Sequence, residues 1–385
     1  MNFNLSEEQN LIRESVRDFA EREITPVARE LDEKAIFSND LTKKMGDLGL
    51  FGMNIPDKYG GQGLDTLSYI IAVEEIARID ASQAATLAAH NSLGISPIYE
   101  FGTESQKMKY LPGLCTGDAL WSFGLTEPGA GSDSRGTKTT ARLDGGEWII
   151  NGSKTFITNG SASISKGCTV QTLTDNDTDN DNGKKSFTTI LLESGTKGFK
   201  QVCMHGKMMW RASDTSELFF DDCRVPEENI LGQVGQGSKI MLSTLDSGRL
   251  SIAAMGLGCA RGAFELAMNY AQERKQFGRV ISKFQINAFK LADMAMKIEL
   301  ATNLLYKACW LKDNEQAYAK EAAMSKLYCS EIAKEVVDEA VQLHGGYGLM
   351  KDYNVERFYR DQRILQIGEG TSEIQRLVIS RLIGC

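Results

Sequence analysis

The residues best placed to do chemistry lie near the C-terminus, in residues 365–377, L-Q-I-G-E-G-T-S-E-I-Q-R-L. One carboxylate, Glu369, stands between Gly368 and Gly370. Flanking glycines let a turn present the side chain and let a large ligand come close to the main chain. A carboxylate held that way beside a flat or bulky ligand can act as a general base. Taken alone, the pattern better describes a solvated loop glutamate. What separates the two readings is a second glycine-rich stretch far upstream, residues 125–133, L-T-E-P-G-A-G-S-D.

Length and composition bound the rest. A chain of 385 residues exceeds one ordinary core and implies two or three domains. Its net charge of −8 disfavours nucleic acid as a partner, though local basic residues could still take a polyanion such as coenzyme A. The eight cysteines form no C-x-x-C pair and, with three scattered histidines, no metal-ligand pattern, so reduced thiols and no metal are expected. No apolar run reads as a membrane span, and the opening M-N-F-N-L-S-E-E-Q resembles no signal peptide; a cytoplasmic protein is expected.

The elements that must position these residues fall into three blocks. Residues 1–120 read as a helical domain. Ser6 and Gln9 make a capping box ahead of Leu11, Ile12, Val16, Phe19 and Ala20 at helix spacing. A second helix is expected over 66–78 and a buried one over 81–98, with a glycine-rich turn at 55–63. Residues 121–236 carry short β-type runs bounded by Gly, Asn and Asp, a middle β domain. Long helical patterns return over 237–385. The acidic run 175–183 fails the EF-hand spacing and reads as a solvated hairpin loop.

Taken together, T-E-P-G-A-G-S-D (126–133) and E-G-T-S-E-I-Q-R-L (369–377) resemble the two signature segments of the acyl-CoA dehydrogenase flavoproteins. N-G-S-K-T-F-I-T-N-G (151–160), F-D-D-C-R-V-P-E-E-N-I-L-G (220–232), L-D-S-G-R (245–249), E-R-K-Q-F-G (273–278) and A-V-Q-L-H-G-G-Y-G (340–348) extend the likeness along nearly the whole chain. The resemblance implies an α-helical N-terminal domain, a β-barrel or sandwich middle domain and a C-terminal four-helix bundle. It implies FAD, an acyl-CoA substrate, electron-transferring flavoprotein as acceptor, and a homotetramer built as a dimer of dimers.

The implied reaction turns an acyl-CoA into the trans-2-enoyl-CoA. Glu369 would take the α-proton while the β-hydrogen leaves as hydride to flavin N5, and the Glu369 N–H would help hold the thioester oxygen. Some relatives carry the base immediately before the arginine of the D-x-x-R segment. Here that position is Gly248, which favours Glu369. By resemblance, FAD would contact Phe123, Leu125, Thr126, Ser132, Phe156, Thr158, Thr371 and Glu373. A neighbouring subunit would add Arg274, Phe277, Gln285, Gln342, Gly345 and Gly346. CoA would contact Ser132, Asp246, Arg249, Gly370 and Arg381. No G-x-G-x-x-G follows a strand, so a Rossmann mode of FAD binding is not expected.

Departures from the family pattern bear on substrate. Gly368 stands where relatives commonly have Tyr, which should widen the acyl pocket. Ala85 occupies the position of the glutaryl-specific Arg, and Asn91 that of the Asp of diene-forming members. Met209 and Trp210 replace Gly and a small aliphatic; Trp210 could close a pocket or pack under the β domain. The expected substrate is a neutral acyl-CoA, short to medium, with branched or alicyclic chains admitted. An acyl-CoA oxidase or a non-redox CoA lyase on the same fold is the alternative.

Overall fold

The computed structural model describes residues 4–174 and 185–385. The acidic run considered for calcium, 175–183, therefore lies outside the described residues.

Seven helices open the chain: α1 (Glu7–Phe19), α2 (Thr25–Lys34), α3 (Asn39–Asp47), α4 (Thr66–Ala77), α5 (Ala81–Ala88), α6 (Ser96–Phe101) and α7 (Glu104–Leu114). The Ser6 hydroxyl accepts from Gln9 N at 3.1 Å and Gln9 Oε1 accepts from Ser6 N at 3.0 Å, the expected capping box. Asp65 caps α4 through Ser68 N at 2.7 Å. The run expected as one buried helix over 81–98 is α5, a π-helical stretch (Ala89–Ile95) and α6. The wider turn rotates the faces before and after it relative to one another.

Eight strands follow: β1 (Leu120–Gly124), β2 (Thr140–Asp144), β3 (Glu147–Thr158), β4 (Ser165–Thr174), β5 (Ser186–Glu193), β6 (Phe199–Cys203), β7 (Thr215–Pro226) and β8 (Ile230–Leu231). They form one sheet in the order β6-β7-β3-β2-β4-β5-β8, with β1 beside β4 in parallel. The sheet does not close, so the barrel alternative gives way to an open, sandwich-like sheet. Trp148, Ile150, Val170, Ile190, Leu192, Leu218 and Phe220 make its apolar core.

The remaining chain is α8 (Gly237–Glu273), the hairpin β9 (Lys275–Gln276) and β10 (Arg279–Val280), α9 (Gln285–Asp313), α10 (Ala319–His344), α11 (Val355–Asp361) and α12 (Ser372–Leu382). Helix α8 is long and apolar enough to cross a bilayer, but 78% of that apolar window is buried inside the fold. Its glycines explain the burial. A Cβ on Gly258 would stand 2.3 Å from Glu74 O on α4, and one on Gly256 2.8 Å from Cys329 O on α10. Backbones can approach that closely only where no side chain intervenes. Helix α8 thereby joins the N-terminal helices to the C-terminal bundle.

A polar junction ties all three blocks together. Arg360 binds Asp32 at 2.7 Å, and the Trp210 N–H donates to Asp361 at 2.7 Å. Trp210 is buried in the helical core, with its backbone in the left-handed region (φ 45°). Its ring packs in the helical core and not in the apolar core of the β domain.

Candidate active site

Glu369 sits in the tight turn between α11 and α12. Its own φ is +52° and that of Gly370 is +95°, so the left-handed residues are the glutamate and the glycine after it. Gly368 has an ordinary φ, and a Cβ there would meet nothing closer than Ile364 O at 3.6 Å. The turn needs Gly370; Gly368 instead has room for a Cβ in ordinary contact with Ile364. A left-handed glutamate is strained backbone, and such strain persists where the surroundings hold it.

Here they do. The buried Gln375 amide donates to Glu369 O (3.1 Å) and Gly370 O (3.0 Å), and the buried Lys326 ammonium donates to Gly370 O at 2.7 Å. Thr371 caps α12 through Ile374 N at 3.3 Å. The Glu369 N–H has no hydrogen-bond partner among the described residues, as an oxyanion donor requires.

The carboxylate lies against α8. A Cβ on Gly248 would fall 2.0 Å from Glu369 Oε2 and 2.9 Å from Leu93 Cδ2. The position that holds the base in some relatives is therefore the slot that receives Glu369 here. Oε2 is buried and without a hydrogen-bond partner among the described residues. Burial pushes the carboxyl up to about 7, while the charges of Lys326 and then Arg249 pull it back. A base poised there can remove a weakly acidic proton near neutral pH.

The other expected residues fall into two groups. Phe123 and Leu125 are buried with Met241, against Leu93 and Leu245. The Leu125 carbonyl is held from behind by the buried Lys154 ammonium at 3.1 Å, which also pairs with Glu127 at 2.8 Å. Glu127 accepts from Lys138 N and Thr139 N, fixing the glycine-rich loop that carries Thr126 and the exposed Ser132. Phe156 is strained (φ 59°) and 66% exposed, close in sequence to the half-buried Thr158. Arg249 is buried and pairs with Asp246, and its Nε has no partner among the described residues. Exposed Glu373 opens α12 and exposed Arg381 lies near its end.

Arg274, Phe277, Gln285, Gln342, Gly345 and Gly346 form the second group, all exposed. The Arg274 guanidinium lies 5.7 Å over the Tyr347 ring, and Phe277 packs edge-on to Phe284 while 95% exposed. The α8–α9 hairpin and the G-G-Y-G turn thus make one patch. His344 is structural: its Nδ1 donates to Ala340 O at 2.7 Å and its ring stacks on Tyr270.

Lys326 and Gln375 were not foreseen. A signal existed for Lys326, since it stands at core spacing, four residues after Ala322 and three before Cys329, both fully buried. Asn91 spends its amide on Leu50 O and Gly52 N, and Ala85 is packed in the core.

These features fit a flavin with a thioester beside it. They include an apolar wall, an exposed aromatic on strained backbone, a free N–H, and a buried carboxylate and guanidinium with unpartnered atoms. The chain matches the acyl-CoA dehydrogenase N-terminal domain over residues 6–118, the middle domain over 122–223 and the C-terminal domain over 235–384. It is 49% identical over 381 residues to a probable acyl-CoA dehydrogenase of Bacillus subtilis, covering 99% of each chain. Its fold matches the butyryl-CoA dehydrogenase of Megasphaera elsdenii with a TM-score of 0.95 at 43% identity, both chains fully covered. It matches a chain of a structure described as the electron transferring flavoprotein of Acidaminococcus fermentans with a TM-score of 0.96 at 46% identity, again over both whole chains. The chain belongs to the acyl-CoA dehydrogenase family, FAD-dependent oxidoreductases that desaturate an acyl-CoA between Cα and Cβ.

Proposed function

We propose that the enzyme desaturates a neutral acyl-CoA of short to medium length, with Glu369 as the base. The observation that carries this reading is the Glu369 carboxylate, buried over Gly248 with one oxygen unpartnered and its titration raised to about 7. Glu369 takes the α-proton, and its free N–H stabilises the negative charge that develops on the thioester oxygen. When bound, FAD supplies the acceptor for the β-hydrogen and its electron pair. Phe123, Leu125, Thr126, Ser132, Phe156, Thr158, Thr371 and Glu373 hold it from this chain. Arg249, beside Asp246, meets the CoA with Ser132, Gly370 and Arg381; its buried, unpartnered Nε supports that role.

The exposed Arg274–Phe277–Gln285 and Gln342–Gly346 patch completes the flavin site of a second copy. Apolar residues left exposed along α9 (Ile286, Phe289, Met296, Leu300) support a homotetramer. Electron-transferring flavoprotein is the electron acceptor. Eight free cysteines, six of them buried, suit a reducing cytoplasm. The space beside Gly368 supports acceptance of a branched or alicyclic chain. Turnover of straight C4 to C8, branched and alicyclic acyl-CoAs, with the enoyl product identified, tests the reading. Activity on branched or cyclic substrates is expected, and activity confined to straight C4 would defeat the wide-pocket part.

A further inference from the structure

We infer that Lys326 is a positioning residue for the catalytic turn: its ammonium, anchored on the Gly370 carbonyl, orients the Gly370–Thr371 peptide that follows the base and faces the base with a positive charge. The inference rests on the reading of Glu369 as the base.

The geometry is specific. Lys326 is fully buried on α10, and its Nζ donates to Gly370 O at 2.7 Å. It has no ion-pair partner within 4.0 Å among the described residues. A buried ammonium without a close counter-ion is costly, so its retention calls for a purpose. Gln375 reaches the same carbonyl, and that of Glu369, from α12. With both carbonyls engaged, the two peptide groups that follow Glu369 are held in place, while the Glu369 N–H, in the peptide before them, is free among the described residues. A side chain at Gly370 would be strained by its φ of +95°, and its Cβ, 2.7 Å from Gln375 Nε2, would push that amide off the two carbonyls.

The electrostatics agree with the geometry. Burial drives the Glu369 carboxyl up, and the largest opposing influence is Lys326, ahead of Arg249 from α8. Tyr69 from α4 feels the same carboxylate. Burial draws Lys326 down to about 8, opposed by Glu369 and reinforced by the like charge of Arg249, with Glu331 and Glu373 opposing more weakly. Lys326 thus keeps the base ionisable near neutrality while the pocket stays dry. A neutral residue in its place would leave Glu369 protonated at pH 7 for more of the time.

The test compares Lys326→Met, Lys326→Gln and Lys326→Arg holoenzymes, following kcat/KM for acyl-CoA against pH, with FAD absorbance and thermal melting as checks on folding. The acidic limb should move up by about one pH unit in Lys326→Met and Lys326→Gln and stay in place in Lys326→Arg. Lys326→Gln retains a donor for Gly370 O, so it serves if Lys326→Met fails to fold. An acidic limb unmoved in a flavin-loaded Lys326→Gln would overturn the inference. Glu369→Gln, run in parallel, separates the two levels. If it is inactive while the Lys326 variants keep the parent profile, only the inference falls; if it stays active, the base assignment falls and takes the inference with it.

Discussion

Asp361 is a buried carboxylate and Glu369, eight positions on, a half-buried residue with its Oε2 enclosed, and burial raises both to about 7. Their surroundings differ. Asp361 accepts the Trp210 N–H at 2.7 Å and faces Arg357, with Asp80 and Asp32 nearby, where the three blocks meet. Glu369 keeps one oxygen without a partner, laid over a glycine on α8, in a turn that other residues clamp. A raised titration therefore marks burial in both places. What distinguishes a base is the unspent lone pair and the room beside it.

The largest effect should fall on chemistry. Glu369→Gln should cut the rate of flavin reduction by acyl-CoA by about 10³-fold or more, with FAD and fold retained, as expected for removing a general base. Asp361→Asn should leave that rate within a few-fold. Stopped-flow absorbance on both variants makes the comparison, and an equal loss in both would erase the distinction.

Stability should show the reverse order. Asp361→Ala leaves the buried Trp210 N–H without its acceptor and should cost about 1–3 kcal/mol in denaturant unfolding, while Asp361→Asn keeps an acceptor and should cost less. Little difference between Ala and Asn would show that the hydrogen bond carries no weight.

A smaller effect follows from pH. A carboxyl raised in the fold binds its proton more tightly there than in the unfolded chain. It costs nothing below the unfolded value of 4.5, and its penalty grows as pH rises toward 7. Glu369→Gln removes that penalty, so the variant should be more stable than the parent at pH 8 by on the order of 2 kcal/mol and no more stable at pH 4. Melting curves at the two pH values decide it; a gain independent of pH would point to packing instead.

The smallest effect concerns the pocket. Gly368→Tyr meets no backbone strain, since the φ there is ordinary and a Cβ would clear Ile364 O by 3.6 Å. It should reduce turnover of branched acyl-CoA by about tenfold relative to straight C4. Unchanged discrimination would remove Gly368 from the pocket.

Much of this was legible in the residues. Ser6 and Gln9 announced α1, and the helix–strand–helix order followed from apolar spacing. Glu369 was marked by its motif and by the emptiness of Gly248. The contact between those two was not visible, because 121 positions separate them and only the packed fold sets their distance. Lys326 looked like one lysine among many until its helix face proved to be core. The closure of the sheet could not be judged either, since strand patterning gives faces and leaves the edges open.

The most direct test is an anaerobic absorbance titration of the flavin-loaded protein with acyl-CoA, comparing the parent, Glu369→Gln and Asp361→Asn. The account predicts bleaching of the flavin band in the parent and in Asp361→Asn, and none in Glu369→Gln. Bleaching in Glu369→Gln at the parent rate would contradict it.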